Sequence, residues 1–356
     1  MTIINEWYNE NMSNTKVLLA FGGESSEHDV SVASAKNVYA AIDREKYDVS
    51  LCCIDTAGLW SLVDSFDNLS GGSTKRLLPN LGSREFIVSP TNELLQVDVI
   101  LPILHGKNGE DGSVQGLAQL LHIPIVGCDV TASAIGMDKL ASKEIVSTHG
   151  VSIVPFEVHR RGDELPNYTA LTERLGSPLF VKPSRAGSSV GVNKAHDENQ
   201  FRDALNDAHH HDRVVLIESA MRARELEVAV LGTPPTHRVS GVGEIVPGEE
   251  FYSYDDKYAS DSTATAIIPA DLPDDVTEKV RRAADTIYTA LGCSGLARVD
   301  FFLDETGALY FNEINTLPGF TDISMYPKLW QYQGIKYSKL IELLINDALE
   351  NATIHT

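Results

Sequence analysis

Apolar positions along the chain recur in two periods, one of strands and one of helices. The run "KVLLAFGG" (16–23) is a short apolar strand ending in a glycine turn, and "HDVSVASAKNVYAAI" then spaces its apolar residues at helical intervals. Further on, "YDVSLCCI" and "VDVILPILHG" have the composition of buried strands, "GSVQGLAQLLH" that of a helix, and "IPIVG" that of another short strand. Such alternation predicts a parallel sheet flanked by helices, with ligands at the carboxyl ends of its strands.

The pattern changes after "GCDV". One helix is predicted over "TASAIGMDKLASKEIVSTHG", with Thr131 as N-cap and Gly150 as its stop. Next come a strand, a Gly- and Ser-rich turn and a strand in "PLFVKPSRAGSSVGV", a helix in "DENQFRDALNDAHH", and strands in "RVVLIES" and "ELEVAVLG". From "HRVSGVGEIVP" onward strands dominate. They are interrupted by the Tyr-rich "GEEFYSYDDKYASDSTAT" and by the helix "PDDVTEKVRRAADTIYTALG", which has Pro273 near its start and Gly292 after its end. The expected organisation is a flexible extension (1–15), an α/β domain (16–130), a small α+β module (131–230) and a second α+β domain (231–356).

The stretch "ARVDFFLDETGALYFNEIN" predicts a hairpin turning around Asp304 to Gly307. Pairing Leu303 with Ala308 sets Arg298 opposite Glu313, with Asp300 diagonally beside it. Any odd pairing sum places Arg298, Asp300, Glu313 and Asn315 on one face, because strand side chains alternate with period two. Two carboxylates and an amide oxygen are hard donors of the kind Mg²⁺ accepts, with water and substrate phosphates completing its shell. The plainer alternative is an exposed ion-pair face.

Composition narrows the classes. With 43% hydrophobic residues, 356 residues can bury two or three separate cores. The 50 acidic against 29 basic residues, a net charge of -21, argue against a nucleic-acid or anionic-membrane binder and otherwise serve solubility. Cys52, Cys53, Cys128 and Cys293 form no C-x-x-C pair and no disulfide framework, which fits a reducing compartment, the cytoplasm by default. The start "MTIINEWYNENMSNTK" lacks an export signal's basic and apolar regions, and no run of about 18 apolar residues occurs.

In "VKPSRAGSSVGV" (181–192), Gly187 and Gly191 surround two serines just after Lys182, and backbone amides in such a loop can close over phosphates. Neither G-x-x-x-x-G-K-[ST] nor G-x-G-x-x-G is present, so the loop is not a Walker or dinucleotide fingerprint, and a Gly-rich turn alone is more often only a turn.

Seven motifs in order, "FGGESSEHDVSVASAKNV", "LHGKNGEDGSVQGL", "GMDKLASK", "VKPSRAGSSVGV", "YDDKY", "ARVDFFL" and "NEINTLPGFTDISMYP", together cover nearly the whole chain. In them the sequence resembles the ATP-grasp ligases, and among these the D-alanine–D-alanine ligases of peptidoglycan precursor synthesis. The resemblance implies the ATP-grasp fold and a two-step reaction. One D-alanine carboxylate attacks the γ-phosphate of ATP, and the amine of a second D-alanine then displaces phosphate from the acylphosphate.

By that resemblance Lys139 and Lys182 hold the ATP phosphates, Glu218 the adenine amino group and Glu225 the ribose. Asp300, Glu313 and Asn315 bind two Mg²⁺ (or Mn²⁺) ions. Glu27 grips the first substrate's ammonium, while Arg298 and the Gly319 N–H form an oxyanion hole. Ser324 and Lys257 lie near the second substrate's carboxylate and the γ-phosphate, and His105 lies at the acceptor side. "FYSYDDKY" is the closing loop, with Tyr258 bonded toward Ser188 and so toward Glu27.

Relatives that take D-lactate or D-serine commonly carry Arg directly after Ser324, where this chain has Met325, which favours D-alanine as acceptor. Some relatives have a Lys after Glu218 that packs on adenine; Ser219 stands there instead. The resemblance also implies a homodimer. The rival expectations are an ATP-grasp ligase with another acceptor and a nucleotide-binding module that has lost its chemistry. A dinucleotide oxidoreductase is disfavoured by the missing fingerprint.

Overall fold

A computed structural model describes residues 14–67, 69, 74–188, 190–246 and 265–352. Most of the N-terminal extension, along with Lys257 and Tyr258 of the predicted closing loop, lies outside these residues.

The first sheet has seven strands in the order β6-β5-β4-β3-β2-β1-β7. β1 (Thr15–Gly22) runs parallel to β2 (Tyr47–Ile54) and β7 (Val99–Leu104), with α1 (His28–Ala41) as the crossover from β1 to β2. All six residues of β7 are buried, which explains its continuous apolar run. The expected parallel sheet is thus present, but it carries an antiparallel extension of four short strands, β3 (Trp60–Val63), β4 (Arg76–Asn80), β5 (Glu85–Ser89) and β6 (Glu93–Gln96). "IPIVG" forms no strand. Only an isolated parallel bridge joins Ile125 to Ile100, since Pro124 removes one ladder donor.

After α2 (Ser113–Leu121), the single predicted helix is in fact two, α3 (Val130–Met137) and α4 (Lys139–Thr148). Asp129, not Thr131, caps the first, its carboxylate accepting from the Ala132 N–H. Asp138 then leaves helical geometry at φ -90° and ψ 101° and accepts from the N–H groups of Leu140 and Ala141, which restarts the helix. Gly150 follows α4 in the left-handed region, as expected of a stop.

The second sheet, β10-β9-β11-β8, contains β8 (Phe156–Arg160), β9 (Leu179–Pro183), β10 (Asn193–Ala195) and β11 (Val214–Ser219). Beside β8 and β9 in the chain lies α5 (Tyr168–Leu175), and α6 (Glu198–His211) buries Phe201, Leu205 and Ala208 against the same core. The third sheet, β14-β13-β12-β15-β16, is antiparallel: β12 (Ala223–Leu231), β13 (Arg238–Val246), β14 (Thr265–Ile267), β15 (Leu296–Asp304) and β16 (Leu309–Asn315). α7 (Asp274–Ala290) covers it, burying Val280, Ala284, Ile287 and Tyr288. α8 (Met325–Tyr332) and α9 (Tyr337–Ala352) then return to the first sheet. Leu340, Ile341 and Leu344 share a core with Val17, Leu19 and Leu101, and each such burial stabilises by about 1.5–3 kcal/mol. The end of the chain is thereby fastened to its beginning, and the third sheet is held facing the carboxyl ends of β1 and β7.

Register in the hairpin differs from the expectation. Leu303 pairs with Leu309, not Ala308, and a bulge between Asp300 and Phe301 shifts the ladder by one residue. Beyond the bulge Arg298 therefore faces Asn315, not Glu313, and Asp300 faces Glu313 directly. The four side chains still share one face, because the extra residue, Asn312, restores the odd pairing sum.

Candidate active site

The structure brings ten of the predicted residues to one cavity of about 150 Å³. Glu27 and His105 come from the loops that follow β1 and β7, Lys139 from α4, and Ser188 from the glycine loop. Arg298, Glu313 and Asn315 come from the hairpin, and Gly319, Ser324 and Met325 from the segment after it. Asp300, Lys182, Glu218 and Glu225 do not line this cavity. Asp300 lies behind Arg298, Lys182 and Glu218 sit on neighbouring strands of the second sheet, and Glu225 sits on β12 between Ile245 and Phe302.

On the hairpin wall, Arg298 donates Nε to Asp300 Oδ1 at 2.8 Å and Nη2 to Asp300 Oδ2 at 2.7 Å, and reaches Glu227 Oε2 at 3.2 Å. Burial works against its charge, yet Asp300 and Glu227 outweigh burial and raise its pKa well above the usual value. Lys139, the first residue of α4, bridges Glu313 Oε2 at 3.1 Å and the Ala186 carbonyl at 2.8 Å. The helix break at Asp138 sets that position: Ser184 Oγ donates to Asp138 at 2.6 Å, and the Lys139 N–H donates to the Ser184 carbonyl at 3.0 Å. An uninterrupted helix would have no such tie to β9.

Glu27 precedes α1 but its carboxylate does not cap the helix. It is buried, and Oε2 lies 3.6 Å from where a Cβ on Gly187 would stand, so the acid and the glycine loop meet across the cavity. Ser188 follows with φ +50°, a left-handed backbone uncommon outside glycine. His105 is buried with Nδ1 3.1 Å from the Leu317 carbonyl and 3.7 Å from Glu110 Oε1. Burial disfavours the imidazolium, but Glu110, Glu27 and that carbonyl prevail and raise its pKa. Its Nε2 has no hydrogen-bond partner among the described residues. Ser324 Oγ accepts from the Thr321 N–H at 3.0 Å and shares a 2.7 Å hydrogen bond with the Thr321 hydroxyl. A Cβ on Gly319 would stand 2.8 Å from that oxygen, so any larger residue there would have to displace the Ser324 hydroxyl.

Behind the cavity Glu218 faces two lysines, Lys182 at 2.8 Å and Lys143 at 3.2 Å. Burial alone would raise the Glu218 carboxyl, but the two ammonium groups hold it below its usual value. Burial, helped by the neighbouring Lys182 charge, pushes fully enclosed Lys143 down to about 8 despite the opposing pull of Glu218 and Glu313.

Sequence reasoning missed Lys143, Glu227 and Glu110. Each carried a signal: Lys143 is four residues after Lys139 and so on the same helical face, and Glu227 alternates with Glu225 in "ELEVAV". Glu110 belongs to the quoted "NGEDG".

The donor set suits Mg²⁺. Asp300, Glu313 and Asn315 offer two carboxylates and an amide on one face, already balanced by the cations of Arg298 and Lys139. No three His, Cys, Asp or Glu side chains form a closed metal cage among the described residues. An open set of this kind leaves positions for water and phosphate oxygens.

Comparison with known proteins gives the chain its family. Residues 16–128 match the family model "D-ala D-ala ligase N-terminus" and residues 145–346 match "D-ala D-ala ligase C-terminus". The D-alanine–D-alanine ligase of Shouchella clausii is 43% identical over 353 residues, covering 95% of this chain and 96% of that protein. Among solved structures, the VanG D-Ala:D-Ser ligase from Enterococcus faecalis aligns with a TM-score of 0.86 at 35% identity, covering 94% of this chain and all of that one. A D-alanine–D-alanine ligase from Bacillus anthracis complexed with ATP aligns at 0.74 and 28% identity, over 96% of this chain and all of that one. With both family models matched along most of its length and a cavity lined by the residues those motifs carry, this chain belongs to the D-alanine–D-alanine ligase family and has its ATP-grasp fold.

Proposed function

We propose that the chain joins two D-alanine molecules into D-alanyl-D-alanine, converting ATP to ADP and phosphate, as a step in building peptidoglycan precursors. The observation that carries this reading is the hairpin wall: Arg298 opposite Asn315 and Asp300 opposite Glu313, across the cavity from Glu27 and His105.

Glu27 holds the ammonium of the first D-alanine and aims its carboxylate at the γ-phosphate. That carboxylate oxygen attacks phosphorus, the bond to the β,γ-bridging oxygen breaks, and ADP leaves. Lys139 and Lys182 neutralise the phosphates, Glu218 accepts from the adenine amino group and Glu225 from the ribose. Asp300, Glu313 and Asn315 would hold Mg²⁺ or Mn²⁺, which would supply positive charge to neutralise the transferring phosphate.

The amine of the second D-alanine, its carboxylate held near Ser324, then attacks the acylphosphate carbonyl. Arg298 and the Gly319 N–H stabilise the tetrahedral oxyanion, where one such donor is typically worth about 3–4 kcal/mol. As the intermediate collapses, the C–O bond breaks, phosphate departs with the former carboxylate oxygen, and the amine loses a proton. Ser188, with Tyr258 and Lys257 of the closing loop, joins Glu27 in completing the site and keeping water from the acylphosphate.

Met325 supports D-alanine as acceptor. Its side chain is buried against Gly243, where a Cβ would stand 2.7 Å from the sulfur, so the position is apolar and closely packed. An ADP-release assay with D-alanine as sole amino acid tests the reading; turnover only after addition of D-serine or D-lactate would reassign the acceptor. Removing divalent cations with EDTA should abolish ADP release, and Mg²⁺ or Mn²⁺ should restore it. We also propose a cytoplasmic homodimer whose chain divides at residues 16–130, 131–230 and 231–356, checked by sedimentation and limited proteolysis. No helix among the described residues is long and apolar enough to cross a membrane.

A further inference from the structure

Lys139 and Lys143 lie one turn apart on α4, and only Lys139 reaches the cavity. Lys143 is wholly enclosed. Its Nζ lies 3.2 Å from Glu218 Oε1 and donates to the Phe311 carbonyl at 3.4 Å, with the Phe311 ring centroid 5.8 Å away. A buried ammonium and carboxylate each lose strong hydration, so such a pair is weak evidence of stabilisation and calls for another explanation.

The two lysines on Glu218 differ. Lys182 takes Oε2 at 2.8 Å from β9, and the glycine loop begins two residues later. Lys143 sits on a helix face with Phe311 beside it, fully buried and not among the residues lining the cavity. Glu218 Oε1 is also unusual: Lys143 neutralises it at 3.2 Å, yet that oxygen has no directed hydrogen-bond partner among the described residues. It is a charge-balanced acceptor still able to receive an N–H.

We infer that Lys143 is the resident counter-charge of Glu218, holding the carboxylate ionised and aimed for the nucleotide base while Lys182 leaves Glu218 for the phosphates. Lys143 is thus a positioning residue that never touches the nucleotide. This rests on the reading of Glu218 and Lys182 given above. Without Lys143, the departure of Lys182 would strand a buried, uncompensated carboxylate, so Lys182 would stay paired and nucleotide binding would suffer.

The test compares Lys143→Met, Glu218→Gln and the double variant by calorimetric titration with ADP and by steady-state kinetics. Lys143→Met should weaken ADP binding and raise the KM for ATP by about 30-fold or more, because a buried carboxylate is left to one mobile partner. The KM for D-alanine should not move. In the Glu218→Gln background nothing remains to neutralise, so adding Lys143→Met should change ADP affinity less than about twofold. An unchanged ADP affinity in Lys143→Met, or the same penalty with and without Glu218, would overturn the inference. If Lys143→Met alone does not fold, Lys143→Gln, which removes the charge but keeps a polar donor, takes its place in both backgrounds, with the same two outcomes deciding. ADP titration needs no turnover, so failure of the ligase reading would show as missing ADP release while the binding result stands separately.

Discussion

Two buried ion clusters flank the nucleotide and substrate region, and they are built differently. On the hairpin, Arg298 grips Asp300 with two parallel hydrogen bonds of 2.8 and 2.7 Å and also reaches Glu227. On the second sheet, Glu218 is held by two lysine ammonium groups, one of which supplies charge without a directed hydrogen bond. A guanidinium fork fixes an angle as well as a distance, whereas an ammonium is a point charge on a flexible stem. The first cluster is therefore suited to keep its geometry through the reaction and the second to exchange a partner when nucleotide arrives.

The largest effect is expected beside the fixed cluster, at Glu313→Gln, which removes the anionic donor that Lys139 pairs with on the same wall. ADP release should fall about 10³-fold or more, with the melting temperature close to that of the parent. A near-normal rate would remove Glu313 from the metal site. Arg298→Lys keeps the charge but loses the fork, and kcat should drop about 10²-fold. Retention of more than a third of the rate would mean that charge alone suffices there.

A third pair sharpens the contrast at the surface. Asp212 accepts from the Arg185 backbone N–H at 2.9 Å, from Nε at 3.1 Å and from Nη2 at 2.7 Å, tying down the start of the glycine loop. Burial would raise the Asp212 carboxyl, but Arg185 and the neighbouring backbone N–H groups hold it below its usual value. Because the folded pKa is depressed, its contribution is present above about pH 4 and is lost as pH falls through the folded value. Arg185 is 48% exposed, so solvent reduces the pair's worth, and Asp212→Asn should cost about 1 kcal/mol at pH 7. Urea unfolding of both proteins should show that difference shrinking below about pH 4; a constant difference would assign it to packing. The smallest change is Gly243→Ala, whose methyl displaces the flexible Met325 side chain. The KM for the acceptor D-alanine should rise about two- to fivefold, with the ATP KM unmoved.

What the sequence made legible follows from what side-chain periodicity encodes. Alternation alone placed Arg298, Asp300, Glu313 and Asn315 on one face, and the structure keeps them there, but the pairing partners depend on a bulge that no residue type announces. The break at Asp138 was hidden for the opposite reason. The flanking helices continue the same apolar spacing, and only the cap made by the Asp138 carboxylate interrupts it. β3 to β6 are four or five residues long and partly exposed, too short to show a period. Lys143 was inconspicuous because its partner, Glu218, is 75 positions further along the chain and becomes a neighbour only in the folded molecule, where the start of α4 is tied to Ser184 just after β9. Motif order brought the chain to its family, while the assignment of fixed and exchangeable charges needed atomic distances.

The central claim is that one amino-acid carboxylate attacks the terminal phosphate of ATP at this site before a second amine displaces phosphate. D-Alanine labelled with ¹⁸O in its carboxylate, turned over with unlabelled ATP, tests it most directly by mass analysis of the released phosphate. The expected result is one labelled oxygen in phosphate for each dipeptide formed; unlabelled phosphate accompanying D-alanyl-D-alanine would contradict it.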